Sequence, residues 1–143
     1  MRLVIQRVAR ASVTKVETGK TLGAINKGLF VLLGVGKEDS VEKAGILAEK
    51  VSKIRLMADA EDKMNLEAKE FLVVSQFTLY GDTTKGNRPS FIKAGDPAKA
   101  REIYDFFVSE LKTKGVKVET GSFGDYMQIN TLLDGPVTII LEN

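Results

Sequence analysis

The chain has 143 residues, 43% of them hydrophobic, and its 21 basic and 19 acidic side chains leave a formal charge of +2. That length suits one domain with a real core, and so small a net charge gives no argument for nucleic acid held by bulk electrostatics; any such contact must come from local patches. Histidine, cysteine and tryptophan are absent, which removes disulfides, Cys/His metal sites, thiolate nucleophiles and imidazole as a general base.

Residues 2–8 and 11–17 read as two strands, 18–20 as a turn and 21–25 as a third strand, which together suggest a meander. A period of two places Leu3, Ile5 and Arg7 on one face of the first strand. Two readings are open for Arg7: an edge arginine reaching solvent, or a guanidinium tied to a carbonyl or carboxylate near a site. The continuous apolar run that follows Gly28 predicts a central strand covered on both faces. Gly34-Val35-Gly36 lacks the third glycine and the spacing of a dinucleotide fingerprint.

Asp39, with Glu42 three residues later, predicts a capped helix start, and Val41, Ala44, Leu47, Ala48, Val51 and Ile54 form its apolar stripe. Residues 54–57 read as a short strand and 59–69 as a polar loop. Asp96-Pro97 opens a second helix of about eighteen residues that ends at Gly115, with Ile103, Tyr104, Phe106, Phe107 and Leu111 as its buried face. Strands at 116–120, 127–132 and 137–141 close the chain, the last two forming a hairpin interrupted by Gly135-Pro136. The expected fold class is α/β: one domain over residues 1–143, with about seven strands in mixed or antiparallel sheets and two main helices. With no apolar run near the ~18 residues of a membrane span and no signal-peptide pattern, a soluble cytoplasmic protein is expected.

Chemistry is concentrated in residues 75–91, where the apolar run Phe71-Leu72-Val73-Val74 surfaces into Ser75-Gln76-Phe77-Thr78. A strand end carrying hydroxyls and an amide is where open α/β sheets place ligands. No Gly-x-Ser-x-Gly frame and no histidine activate Ser75 or Thr78, so three readings stand: a hydroxyl nucleophile, strand-end amides that polarise a carbonyl, or polar residues that satisfy a turn. Lys85, Arg88 and Lys93 lie near Tyr80 and Phe91. Cations beside aromatic rings suit a single-stranded nucleotide, and they also occur on ordinary solvated loops.

Taken together, Ile5-Gln6-Arg7-Val8, Leu32-Leu33-Gly34-Val35, Lys63-Met64-Asn65-Leu66, Val74-Ser75-Gln76-Phe77-Thr78-Leu79, Arg88-Pro89-Ser90-Phe91, Thr120-Gly121 with Phe123, Met127-Gln128 and Asp134-Gly135-Pro136-Val137-Thr138 resemble the D-aminoacyl-tRNA deacylase family over essentially the whole chain. The resemblance implies a layered α/β/β homodimer that cleaves D-amino acids, and by extension glycine, from the terminal adenosine of tRNA, a proofreading role without metal or cofactor. It implies that Ser75, Gln76, Phe77 and Thr78 form the catalytic segment. A cis Gly135-Pro136 loop from the other protomer, held by Arg7, would reject L side chains. Tyr80, Lys85, Arg88, Phe91 and Phe123 would contact the RNA end. Two departures stand out: Leu133 where relatives carry asparagine, and Asp125-Tyr126 after Gly124 where small residues are usual. The rival reading is a non-catalytic binder of RNA ends.

Overall fold

A computed structural model describes residues 1–143. Strand β1 (Arg2–Lys15) runs for 14 residues where the hydropathy pattern predicts two strands. The chain does not turn after Val8; it changes phase. Leu3 and Ile5 belong to the larger core cluster, whereas Val8, Ala11 and Val13 share the smaller one. Side chains alternate along a strand, so Val8 and Ala11 share a side only because an irregularity intervenes, and pairing with the last strand shifts between Val8 and Arg10.

The predicted meander is replaced by a different pairing. β2 (Thr21–Ile25) and β3 (Gly28–Gly34) both run antiparallel to β1, β2 along its second half and β3 along its first. β3 then pairs in parallel with β6 (Glu70–Ser75), and β6 in parallel with β7 (Lys117–Thr120). Parallel neighbours need long crossovers, which α1 (Val41–Lys53) and α2 (Pro97–Lys112) supply. β8 (Met127–Glu142) completes the mixed six-stranded sheet along the other edge of β1. The result is an α/β unit with two main helices.

Both helices pack on the larger cluster, against Leu3, Ile5, Leu29, Val31, Leu33, Phe71 and Val73. In α2, Ile103, Tyr104, Phe107, Val108 and Leu111 are buried; Phe106, expected inside, is 37% exposed because it stands a helical step off that stripe. On the opposite side the sheet curls until β2 packs on β6 and β7. Gly23 makes this approach possible: a Cβ there would lie 2.8 Å from the Thr120 carbonyl oxygen.

Three further expectations change. Residues 59–69 are not a plain loop, because β5 (Met64–Leu66) folds back on β4 (Met57–Ala58) around Asp59, whose carboxylate accepts the Glu61 and Lys63 amides. The cap of α1 is Ser40, which accepts the Lys43 amide. Asp39 is instead buried, accepting from the Met1 ammonium at 2.5 Å, the Gly36 amide at 2.7 Å and the Tyr80 hydroxyl at 3.2 Å. Finally, no hairpin forms around Gly135-Pro136, since both flanks belong to β8 and pair with the same β1. Gln6 pairs with Thr138 and Val8 with Leu133, so residues 134–137 bulge out opposite Arg7 alone. Proline, which donates no ladder hydrogen bond, is tolerated at such a bulge on an edge strand.

Candidate active site

β6 is buried through Val74 because β3 and β7 flank it and the helices cover one face. At Ser75 this protection ends, and the next residues can pair only locally. The Gln76 amide donates to the Leu33 carbonyl at 2.8 Å, a last tie to the neighbouring strand, and residues Phe77–Tyr80 then wind into one 3-10 turn. The first amides of such a turn have no acceptor within it, so those of Phe77 and Thr78 are left for another partner. The Gln76 side-chain amide donates to the Thr78 hydroxyl oxygen, which leaves the hydroxyl hydrogen free to donate elsewhere.

The turn is braced from behind. Tyr80 packs against Gly34 and Gly36, its hydroxyl reaches Asp39, and the Arg2 guanidinium lies 5.4 Å from its ring centroid. Burial, and then the neighbouring Asp39 charge, push the Tyr80 hydroxyl up to about 12. Burial alone would raise the Asp39 carboxyl; the Met1 ammonium and the Gly36 amide outweigh it and hold that group below its ordinary value.

A cavity of about 680 Å³ opens where β6 ends. One wall is Ser75, Gln76, Phe77 and Thr78; a second is the entry to α2 from Ala94 to Ala100; the third is the turn from Phe123 to Met127, with Ile129. Phe77 is 57% exposed and meets Phe91 edge to face at 5.2 Å. Phe123 leans on Tyr104 at 5.8 Å. Of the residues expected from sequence, the segment 75–78 and Phe123 therefore share one cavity.

Others lie elsewhere. Tyr80 does not line the cavity; it lies behind the turn, with its hydroxyl on Asp39. Lys85 and Arg88 are exposed in the loop before α2, which closes on itself through paired Asp82 and Ser90 and through Lys93 on Asp82 at 2.9 Å. Phe91 reaches the cavity only through Phe77.

Arg7, Gly135 and Pro136 form a second constellation, none of them in the cavity wall. The Arg7 side chain, 12% exposed, donates to the Asp134 carbonyl oxygen at 3.2 Å and to the Leu56 carbonyl oxygen at 3.0 Å, and it pairs with the Asp134 carboxylate at 3.1 Å. One guanidinium thus ties the bulge to the segment before β4. Gly135 has φ +129 and Pro136 follows through a cis bond; both are exposed.

Asp125 and Tyr126, which in sequence mark only a departure, form a wall of the cavity together with Ile129. The Ser122 hydroxyl first, and Lys15 at 3.0 Å second, hold the Asp125 carboxyl below the usual range. Tyr126 is 80% exposed beside this carboxylate. The departure from small residues at that turn was the available signal, since a large ring and a charge there have to go somewhere.

A family model described as D-Tyr-tRNA(Tyr) deacylase matches residues 4–142. The chain belongs to this family. It is 51% identical over 147 aligned positions to a D-aminoacyl-tRNA deacylase of Thermotoga petrophila, covering 100% of this chain and 97% of that protein. The corresponding protein of Koribacter versatilis is 50% identical with the same coverage. Among solved structures, the c-Myc DNA Unwinding Element Binding Protein superposes with a TM-score of 0.91 at 37% identity, covering 100% of this chain and 99% of the other. A probable eukaryotic D-amino acid tRNA deacylase, 15% identical, shares the fold with a TM-score of 0.84 over 98% of this chain and 97% of that one.

Proposed function

We propose that this chain hydrolyses the ester joining a D-amino acid to the terminal adenosine of tRNA, releasing the free amino acid and tRNA. The observation that carries the proposal is the cavity at the end of β6, lined by residues 75–78, in a chain that matches the deacylase family from residue 4 to residue 142.

The chemistry fits the side chains available. With no imidazole in the chain, rate must come from positioning and from polarising an ester that is already activated. The amides of Phe77 and Thr78 face the developing oxyanion, and the ribose 2′-hydroxyl beside the ester assists the attacking water. Thr78 as a covalent nucleophile is the rival. Phe77 and Phe123 offer ring faces to the adenine and Phe91 backs Phe77, while Lys85 and Arg88, on the exposed loop before α2, stand outside the cavity.

Chirality is read by backbone from a second protomer. Gly135 and Pro136 are exposed and held by Arg7, yet they do not line their own cavity. A homodimer through the β8 side would carry this loop into the neighbouring cavity. It would also cover Ile129, Leu132, Leu133 and Ile140, which otherwise leave that strand apolar and exposed. A wall of backbone ignores side-chain identity, so D-amino acids of many kinds, and glycine, are accepted while L side chains clash.

Incubation with D-tyrosyl-tRNA and L-tyrosyl-tRNA tests this: the D ester should be lost rapidly and the L ester should persist. A D ester that decays no faster than in buffer would replace the proposal with a binder of nucleic-acid ends, a reading in keeping with the DNA-binding description of the 37% identical structural relative. A 2′-deoxy terminal adenosine isolates the hydroxyl, and undiminished hydrolysis would remove it from the mechanism.

A further inference from the structure

A second depression lies beside the cavity, between α2 and the end of β7, with a volume of about 480 Å³. Its character is polar where the cavity is mostly apolar. Arg101, Asp105, Ser109 and Lys112 line one side and Thr120 the other, and Phe123 stands in the walls of both depressions. Arg101 and Lys112 are eleven residues apart; at ~100° and 1.5 Å per residue they share one face of α2 about 16 Å apart. Lys112 enters no ion pair, while Arg101 has only an exposed partner, Asp105, at 3.7 Å.

We infer that this groove takes the single-stranded RNA that precedes the terminal nucleotide, so that the 3′ strand runs along α2 before its last base enters the cavity past Phe123. The inference rests on the proposed function for the identity of the ligand. Its own support is spatial and electrostatic. A strand that rises ~3.4 Å per nucleotide when stacked needs a track of this length with cations at intervals, and 16 Å spans several nucleotides. Ser109 and Thr120 supply hydroxyls that suit ribose 2′-hydroxyl groups, the mark of RNA. Phe123, leaning on Tyr104, gives a rigid ring where the strand passes from groove to cavity. Within the groove, Asp105 is the one carboxylate that opposes a phosphate, and it lies 3.7 Å from Arg101; at the cavity mouth Asp125 is paired with Lys15.

The test compares two substrates, charged tRNA and the D-tyrosyl ester of adenosine alone, with the wild type and with Arg101→Ala/Lys112→Ala. For charged tRNA the double variant should raise KM about tenfold at unchanged kcat, and lower the salt slope of log KM by about 1.4, from ~0.7 per single-strand phosphate contact. The adenosine ester, which has no preceding strand, should be hydrolysed equally by both proteins. Asp105→Asn should tighten tRNA binding by roughly twofold to threefold, a gain that a merely structural role does not produce. Equal losses on both substrates, or no change on charged tRNA, overturn the groove. Should the wild type hydrolyse neither substrate, the proposed reaction fails, and the affinity for uncharged tRNA still decides the groove: an unchanged Kd in the double variant overturns it.

Discussion

Two interruptions of regular strand shape this molecule, and they are held in opposite ways. β6 stops in the middle of the sheet, between β3 and β7, and its continuation is fixed by many partners: the Leu33 carbonyl, Gly34 and Gly36 beneath Tyr80, and buried Asp39. β8 is interrupted at the edge of the sheet, where residues 134–137 leave the ladder and resume it, and the visible brace is one guanidinium. A central break is over-determined and tolerates the loss of one contact. An edge break concentrates its dependence in a single residue.

The largest effect is therefore expected from Arg7→Ala. It leaves the Leu56 and Asp134 carbonyls without their partner, which should cost about 2 kcal/mol or more in denaturant unfolding. By displacing the bulge it should also lower D-aminoacyl ester hydrolysis about a hundredfold. Arg7→Lys keeps the charge but not the fork, and should recover stability better than activity. Wild-type kinetics in Arg7→Ala would end the comparison.

Gly135→Ala comes next. Its φ of +129 disfavours a side chain, and an added Cβ would lie 2.8 Å from a Val137 methyl carbon. A loss of about 1–3 kcal/mol is expected, with most of the activity, read by thermal unfolding beside turnover.

At the central break, Asp39→Asn should cost about 2 kcal/mol while leaving turnover within a few-fold, because the other braces persist. The wild-type contribution depends on pH with a definite sign. The folded carboxyl is held below its unfolded value, so its stabilisation is complete above about pH 4 and is lost as pH falls through the lowered folded value. Acid unfolding curves should show a shallower dependence in the asparagine variant. A hundredfold loss of turnover with little loss of stability would show that the strand end is as precarious as the loop.

The smallest effect is expected from Thr78→Ala. Only a side-chain hydroxyl is removed and the turn amides remain, so hydrolysis should fall by less than about tenfold. Abolished turnover with tRNA binding intact would make Thr78 the nucleophile.

Part of this was legible in residue types. The stripe of α1, the Asp96-Pro97 start of α2 and the apolar runs of β3 and β6 follow from local periodicity and capping, and the surfacing at Ser75 follows from a buried run meeting hydroxyls. The irregularities did not show themselves, because a bulge changes the phase of a strand without a change in composition. β1 thus read as two strands and β8 as a hairpin. Asp39 and Ser40 are equally good caps, and only the distant Met1 and Tyr80 decide between them. For the same reason the cavity wall at residues 123–129 was partly hidden: it faces residue 75 only because the sheet curls.

The pairing of β1 with β8 has a consequence in time as well as in space. It runs along nearly the whole of both strands and joins residues as far apart as Arg2 and Glu142. It is the least local pairing in the sheet, and the pairs of β1 with β2 and β3 and of β6 with β3 and β7 do not require it. Until it forms, β1 offers an open row of amides and carbonyls to any other chain, a hazard that β8 later removes. The bulge at residues 134–137 has no strand to depart from until that step is done. The loop proposed to recognise chirality and the Met127 and Ile129 part of the cavity wall thus depend on one and the same pairing.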